Sequence, residues 1–264
     1  MDRALWACDI SNWYKHPILS KVTFPTKFVD LPEAFIERLL RSDGLFARAD
    51  EEADFGAWSD SEWPEDDVKN VEEDNVEATE RRQRQQETFP EFEKSVKTVL
   101  DRWTVSGAEG GVFPRLNWSS PMDAHWMGIG GSLRCTTVAE VMRFLEASDS
   151  IRSDLEMLVQ LQSKPPEGEE KRTWKPTLAL RRWHDFHTPN EFRCFVWKDR
   201  LIAVSQKDIT NFWPFLVEAK QRNLASLNTF YQEKMKGALE IDSCACKASL
   251  LSHVLIRSFH CELH

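Results

Sequence analysis

Residues 112–126, VFPRLNWSSPMDAHW, place a cation, an amide, hydroxyls and a carboxylate between large apolar side chains, a mixture that no ordinary core strand needs. Such a segment has to lie at the rim of a core. There Phe113, Leu116 and Trp118 can bury while Arg115, Asn117, Ser120 and Asp123 meet polar partners. The residues alone leave two readings open: a strand closed by a turn at Ser119-Ser120-Pro121, or one wall of a binding site.

The surrounding chain alternates helical and strand patterns. Residues 21–40 begin with period-two alternation through Val22, Phe24 and Phe28, then shift after Pro32 to helical spacing with Phe35, Ile36, Leu39 and Leu40 on one face. A short strand and a helix ending near Gly44 are expected. Thr88 and Glu91 have capping-box spacing and open a helix with Phe92, Val96, Val99, Leu100 and Trp103 inward. Gly107, Gly110 and Gly111 break the chain before the motif. After it, Gly128-Ile129-Gly130-Gly131 looks phosphate-loop-like but lacks the GK[ST] ending, and a turn is the better reading.

A second capping box, Thr137 and Glu140, starts a helix carrying Val138, Val141, Met142 and Leu145, and a weaker helix spans 153–162 before Pro165-Pro166. Strands are expected over 177–183, 191–197 and 201–206, the last two joined as a hairpin through Lys198-Asp199-Arg200. A long helix over about 214–236 follows, with Leu216, Leu224, Leu227 and Tyr231 as its buried stripe. Helices and antiparallel strands in this order predict an α+β fold.

With 264 residues, 41% apolar and 29% charged, the chain can bury a large core but has material left over. Residues 50–80 account for much of it. They hold a single basic residue, Lys69, in a dense run of Asp and Glu that cannot offset its own chain entropy, so a disordered insertion is expected. Ser59 and Ser61 sit between Trp58 and Trp63 in a context suited to an acid-directed kinase. The run reads either as a solvated linker or as an acidic peptide that docks on a basic partner.

The net charge of −9 argues against nucleic acid as a non-specific partner. The start of the chain shows neither a signal peptide nor a membrane span, so a cytoplasmic protein is expected. Nothing in the sequence calls for an oligomer, and a monomer is expected. Six cysteines lack the spacing of a disulfide framework, so reduced thiols are expected. A zinc site among Cys244, Cys246, Cys261, His253, His260 and His264 is a minor alternative.

Residues 112–126 resemble the FPKLNWSAPxDAxW segment of the cell-division-cycle-123 family, eukaryotic assembly factors for translation initiation factor 2. Further matches follow in the same order. They are Trp13-Tyr14, TFPEF at 88–92, LALRRW at 178–183, EFRCFV at 191–196 and LIAVSQKD at 201–208, so the resemblance reaches about Gly237. It implies an ATP-grasp-like fold over residues 1–237, two subdomains around a nucleotide cleft, with the acidic insertion at about 47–86.

It also implies a function: an ATP-binding assembly chaperone for the gamma subunit of initiation factor 2, supporting translation initiation and cell cycle progression. The alternatives are an ATP-grasp ligase-type enzyme, or a variant unable to bind magnesium-ATP. ATP and Mg are the cofactors so implied, with no catalytic residue assigned. The expected nucleotide-binding residues are Arg115, where the family has lysine, with Asn117, Ser120, Asp123, Leu180, Arg181, Trp183, Glu191, Arg193 and Gln206. Residues 180–183 would form the adenine-side edge.

By alternation Thr177, Ala179, Arg181 and Trp183 share one strand face. Glu191, Arg193 and Phe195 share another, opposite the core residues Phe192, Cys194 and Val196. After Gly237 the chain departs from the family. Residues 238–264 contain no DFN segment and no matching aspartate-bearing strand, and Asp242 has no ligand-like surroundings. They read as a divergent or alternatively processed ending that need not fold, with the C-terminal strands and the magnesium site missing. A sheet edge would then be left for the tail to cover.

Overall fold

The structure is a computed structural model that describes residues 2–41, 88–104, 110–163, 173–185, 188–239, 241, 243–251, 255–256 and 261–262. The acidic run at 50–80, the helix end near Gly44, Gly107, the Pro165-Pro166 loop and Asp242 lie outside the described residues, as do His253, His260 and His264.

The chain opens with two short helices, α1 (Asp2–Cys8) and α2 (Ile10–Trp13), which the sequence reading did not anticipate. Asp9 joins them as the N-cap of α2, its carboxylate accepting from Ser11 N–H at 2.8 Å. Strand β1 (Thr26–Asp30) and helix α3 (Glu33–Arg41) then follow the change of period from two to 3.6.

Helix α4 (Pro90–Thr104) buries Phe92, Val96, Leu100 and Trp103 as the pattern required. Its first turn is capped differently from the expected Thr88–Glu91 box. Glu93 reaches back to Phe89 N–H at 3.1 Å, because the helix begins at Pro90, whose missing N–H suits the first helical position.

Strand β2 (Val112–Arg115) covers the start of the opening motif, and α5 (Val138–Glu146) keeps the full Thr137–Glu140 capping box. Helix α6 (Asp149–Ser163) starts four residues before the expected 153. Strands β3 (Thr177–Arg182), β4 (Glu191–Trp197) and β5 (Arg200–Gln206) stand where alternation put them.

These strands form two antiparallel sheets. The first has the order β1-β3-β2. The second runs β5-β4-β6, where β6 is Cys244–Leu251, and continues to β7 (Leu255–Ile256), with β8 (Cys261–Glu262) also on β6. The segment after Gly237 therefore supplies a strand, contrary to an ending that need not fold. A backbone ladder requires no DFN sequence. Cys244 to Ser249 of CACKASLL pair antiparallel with β4 from Glu191 to Val196, and cover the edge left open in the sequence reading.

Strand β3 is buried on both faces. Leu178 and Leu180 enter one core with Phe35, Val96, Val112, Leu145 and Leu155, while Ala179 enters a second with Ile10, Trp13, Phe192, Cys194 and Cys246. Helix α7 (Pro214–Phe230) buries only Leu227. Leu224, expected inward, is exposed, while Leu216 near the start of the helix is partly buried against the second core. Directly after the helix a π-turn, Tyr231–Met235, sets Tyr231 and Met235 into the second core. Cys8, Cys135, Cys194, Cys244 and Cys246 are free thiols.

The β4–β5 hairpin closes through Lys198 and Asp199, with φ of 48° and 56°, so both central turn residues occupy the left-handed region. Aspartate tolerates this less well than glycine. Asp199→Gly is expected to raise unfolding stability by about 0.5–1 kcal/mol in urea titrations, and a loss of stability would contradict this account of the turn.

Candidate functional site

The opening motif builds a closed polar cluster. Arg115 ends β2 opposite Ala179 and is fully buried, and its guanidinium donates to the carbonyl of Trp118. The turn from Leu116 to Ser119 that brings this carbonyl round is closed by Leu116 N–H to Ser119 O, 2.8 Å. It is then clamped by Asp154 from α6, which accepts from Trp118 N–H, Ser119 N–H and Ser119 Oγ at 3.1, 2.7 and 2.9 Å.

Asn117 is equally enclosed. Its Nδ2 donates to Asp9 at 2.7 Å and to Lys175 O at 3.0 Å, and its Oδ1 accepts from Thr177 N–H at 3.0 Å. Its backbone carbonyl accepts from Ile10 N–H at 3.0 Å. One amide thus ties α2 to the start of β3 and to the motif. Burial raises the carboxyl pKa of both Asp9 and Asp154. Their hydrogen bonds and the Arg115 charge pull back against it without cancelling it.

Arg181 lies on the same sheet face, its register partner Phe113 beside it. It is 2% exposed, surrounded by the rings of Phe24, Phe113 and Trp13 at 5.0, 5.4 and 5.8 Å, and it donates to Thr23 Oγ1 at 2.5 Å. Burial, then the neighbouring Arg115 charge, lowers its pKa to about 9, so it stays charged at neutral pH. Trp183 lies at the end of this face, half-buried, its ring edge toward Phe113 at 6.2 Å.

The structure therefore brings Arg115, Asn117 and Arg181 together as expected but seals them under residues 5–24. It also removes the edge assigned to residues 180–183. Leu180 is the middle residue of a central strand, paired with Lys27 on one side and Pro114 on the other. Arg182 N–H goes to Pro25 O and Trp183 N–H to Gly111 O.

Ser120 is half-buried, its carbonyl accepting from Met122 N–H at 2.6 Å. Asp123 is the cap of α6, accepting from Ser148 Oγ at 2.6 Å and Ser150 N–H at 3.0 Å. These bonds outweigh its partial burial and lower its pKa. The glycine run after it is a turn. A Cβ at Gly128 would lie 1.8 Å from Ser132 O, and Gly130 and Gly131 have φ of 66° and 69°.

The remaining candidates form a separate constellation on the second sheet. Glu191 and Arg193 share one face of β4, and Glu191 holds Lys207 at 2.8 Å. Register puts Ser205 opposite Arg193 on one side and Lys247 of β6 on the other, with Ser249 opposite Glu191. Gln206 pairs with Phe192, so it belongs to the opposite face and not with Arg193. Asp9, Asp154 and Lys247 were missed in the sequence reading, since only distant partners give them a role. Among the described residues, no group of three or more His, Cys, Asp or Glu is placed to hold a metal ion.

A family model described as D123 matches residues 13–248. The chain belongs to the D123 family. The match runs past Gly237 and through most of β6, so the D123 pattern extends beyond the point where the motif resemblance ended. Among D123 relatives, the chain is 34% identical over 232 residues to "Cell division cycle protein 123" of Yarrowia lipolytica, covering 87% of this chain and 55% of that protein.

It is 30% identical over 230 residues to the "Translation initiation factor eIF2 assembly protein" of Xenopus laevis, covering 87% and 64%. It thus spans 55–64% of the length of these relatives. The solved structure of Cdc123 from Schizosaccharomyces pombe shares the mixed α+β fold, with a TM-score of 0.63 at 22% identity over 98% of this chain and 84% of that one. Among the described residues, no helix is long and apolar enough to cross a membrane.

Proposed function

We propose that this D123 chain is a cytoplasmic, monomeric assembly factor for translation initiation factor 2 that binds the gamma subunit and promotes its union with the other subunits. The observation that carries this is the relationship to proteins named for eIF2 assembly, at 30% identity over 87% of the chain. A binding surface is also available. The stretch from β5 into α7 exposes Ile202, Ile209, Phe212 and Val217, more apolar surface than one short stretch of a monomer ordinarily leaves in water. Asp208 stiffens it by accepting from Thr210 and Asn211.

The nucleotide part of this reading rests on the second sheet. ATP would be held on the ATP-grasp-like face that carries Arg193, whose Nε is buried with no acceptor among the described residues, a state that suits a phosphate oxygen. Magnesium fits less well. Among the described residues the face carries Glu191, which Lys207 already occupies, and by register Glu262 of β8, fewer free oxygens than a magnesium ion takes.

Purified chain is expected to capture the isolated gamma subunit at micromolar concentration, and Ile209→Ser with Phe212→Ser is expected to weaken capture about tenfold or more. Failure of the unaltered chain to capture the subunit would overturn the proposal. Capture unchanged by the double substitution would reassign the surface.

A further inference from the structure

We infer that Cys194, Cys244 and Cys246 form a peroxide-oxidisable thiol site, in which oxidation begun at Cys244 passes to a disulfide between Cys194 and Cys246. The site lies on the core face of the second sheet, opposite the face that carries Glu191 and Arg193. Cys194 of β4 and Cys246 of β6 are direct register partners, and Cys244, two residues before Cys246, shares their face. Cysteine is common in cores as a small apolar residue, and that alone assigns no role. Here three thiols meet at one point. The Cys246 thiol is hydrogen-bonded to those of Cys194 and Cys244, and these bonds, ahead of burial, push its pKa well above the ordinary thiol value.

Exposure and geometry give the three sulfurs different parts. Cys194 and Cys246 are 5% and 6% exposed, whereas Cys244 is half-buried, so an oxidant from solvent meets it first. Cys246 keeps its proton at neutral pH and acts as a donor, which stabilises negative charge on the sulfur it reaches. A direct cross-strand pair has Cα atoms about 4.5–5.5 Å apart, well within the range a disulfide takes. Two positions along one strand are about 6.8 Å apart, at the upper limit of that range. A bond across the strands is therefore the relaxed one, and a bond within β6 the strained and exchangeable one. Cys194 and Cys246 also line a small apolar cavity with Leu201, Leu227, Phe230 and Tyr231, which gives their sulfurs space in which to turn.

The chemistry balances with hydrogen peroxide as the oxidant. The Cys244 sulfur attacks one peroxide oxygen, the O–O bond breaks, and a sulfenic acid and water result. The Cys246 sulfur attacks the sulfenic sulfur, an S–S bond forms, the S–O bond breaks, and the thiol proton leaves with the hydroxyl as a second water. The Cys194 sulfur then attacks Cys246, takes over the S–S bond and passes its proton to Cys244. Two thiols have lost two hydrogens and two electrons, and one peroxide has become two waters. The product joins β6 to β4 around residues 195–245, which include β5 and α7, so the segment after Gly237 becomes covalently held to the sheet.

The test is peptide mapping of the full chain after exposure to a small molar excess of hydrogen peroxide, with alkylation in denaturant before digestion. The Cys194 and Cys246 peptides are expected as one species, lighter than their sum by two hydrogens, and dithiothreitol is expected to separate them. Cys135, buried in the first core and bonded to Leu133 O at 3.5 Å, is expected to stay reduced and be alkylated. Cys244→Ser is expected to slow the appearance of the linked peptides about tenfold without changing their identity. Cys246→Ser is expected to give no disulfide and to leave Cys244 as sulfinic acid.

Absence of linkage, an end product joining Cys246 to Cys244 or to its other register partner Cys261, or equal oxidation of Cys135 would overturn the inference. An unchanged rate in Cys244→Ser would do the same. Mapping of the unaltered chain needs no variant, so these outcomes stay decisive even where a substitution prevents folding, as judged by the thermal transition.

Discussion

Asn117→Ala is expected to lower the free energy of unfolding by about 3–5 kcal/mol, measured by urea titration, or to leave the chain insoluble. Three partners lose their hydrogen bond at once. They are the Asp9 carboxylate, the Lys175 carbonyl and the Thr177 N–H, all bonded at 2.7–3.0 Å to one buried amide. The Asp9 carboxylate and the Thr177 N–H cannot turn to water, because Asp9 is buried and Thr177 lies buried inside the first sheet, whereas Lys175 is exposed. Removing a partner costs more than the bond is worth, since each orphaned group keeps its desolvation penalty. Asp9 is the severest case, a carboxyl whose pKa is already raised by burial and which Asn117 helps to hold down. Ser120→Ala, three residues on, is expected to change stability by under about 0.5 kcal/mol. Comparable losses at both positions would refute the separation drawn here between the sealed cluster and its rim.

That separation was only partly legible in the sequence. Local signals were read well. The Thr137–Glu140 capping box and the strand alternation of LALRRW and EFRCFV act within a few residues, as does the hairpin connection, which was read as Lys198-Asp199-Arg200 and is one residue shorter because Arg200 already belongs to β5. What failed depended on contacts across the chain. Asp9 meets Asn117 across 108 positions, and Asp154 meets Ser119 across 35, and no periodicity marks either acid. Helix α6 begins earlier than its apolar pattern because Asp123 and Ser148 cap it from outside.

The site suffered more than the fold for the same reason. Family motifs identify residue types, but which face of which sheet is open depends on strand order. With β3 between β1 and β2, Leu180 and Arg181 lie inside, while the same alternation in β4 leaves Arg193 on an accessible face. Gln206 shows how finely this is balanced. The register that sets Ser205 beside Arg193 sends Gln206 to the other face, because side chains alternate residue by residue. The tail was misjudged because it was read for ligands. CACKASLL lacks the metal-binding sequence, yet it has the spacing and size to pair with β4.

Arg115→Met tests whether the sealed cluster is electrostatic in origin, and the expected loss is about 3–5 kcal/mol near neutral pH, shrinking as the solution is acidified. Methionine matches much of the arginine stem, so packing changes little while the charge and the donor to Trp118 O disappear. Two buried carboxyls, Asp9 and Asp154, then lose the cation that lowers their pKa. Both are already raised above 3.8 in the folded chain. Each therefore favours folding most at pH below 3.8, and that contribution is lost as pH rises through the folded-state value. Without Arg115 the folded values rise further, the window widens upward, and the penalty at neutral pH grows. Protonation at low pH removes the charges that need compensation, so the two proteins converge. Relief at Arg181, whose pKa Arg115 depresses, works in the opposite direction. It involves one cation against two carboxylates and reduces the loss without reversing it. Urea titrations of both proteins at pH 7 and near pH 4 supply the measurement, and groups common to both cancel in the difference. A loss as large at the lower pH as at the higher would mean that Arg115 supports the motif by packing alone.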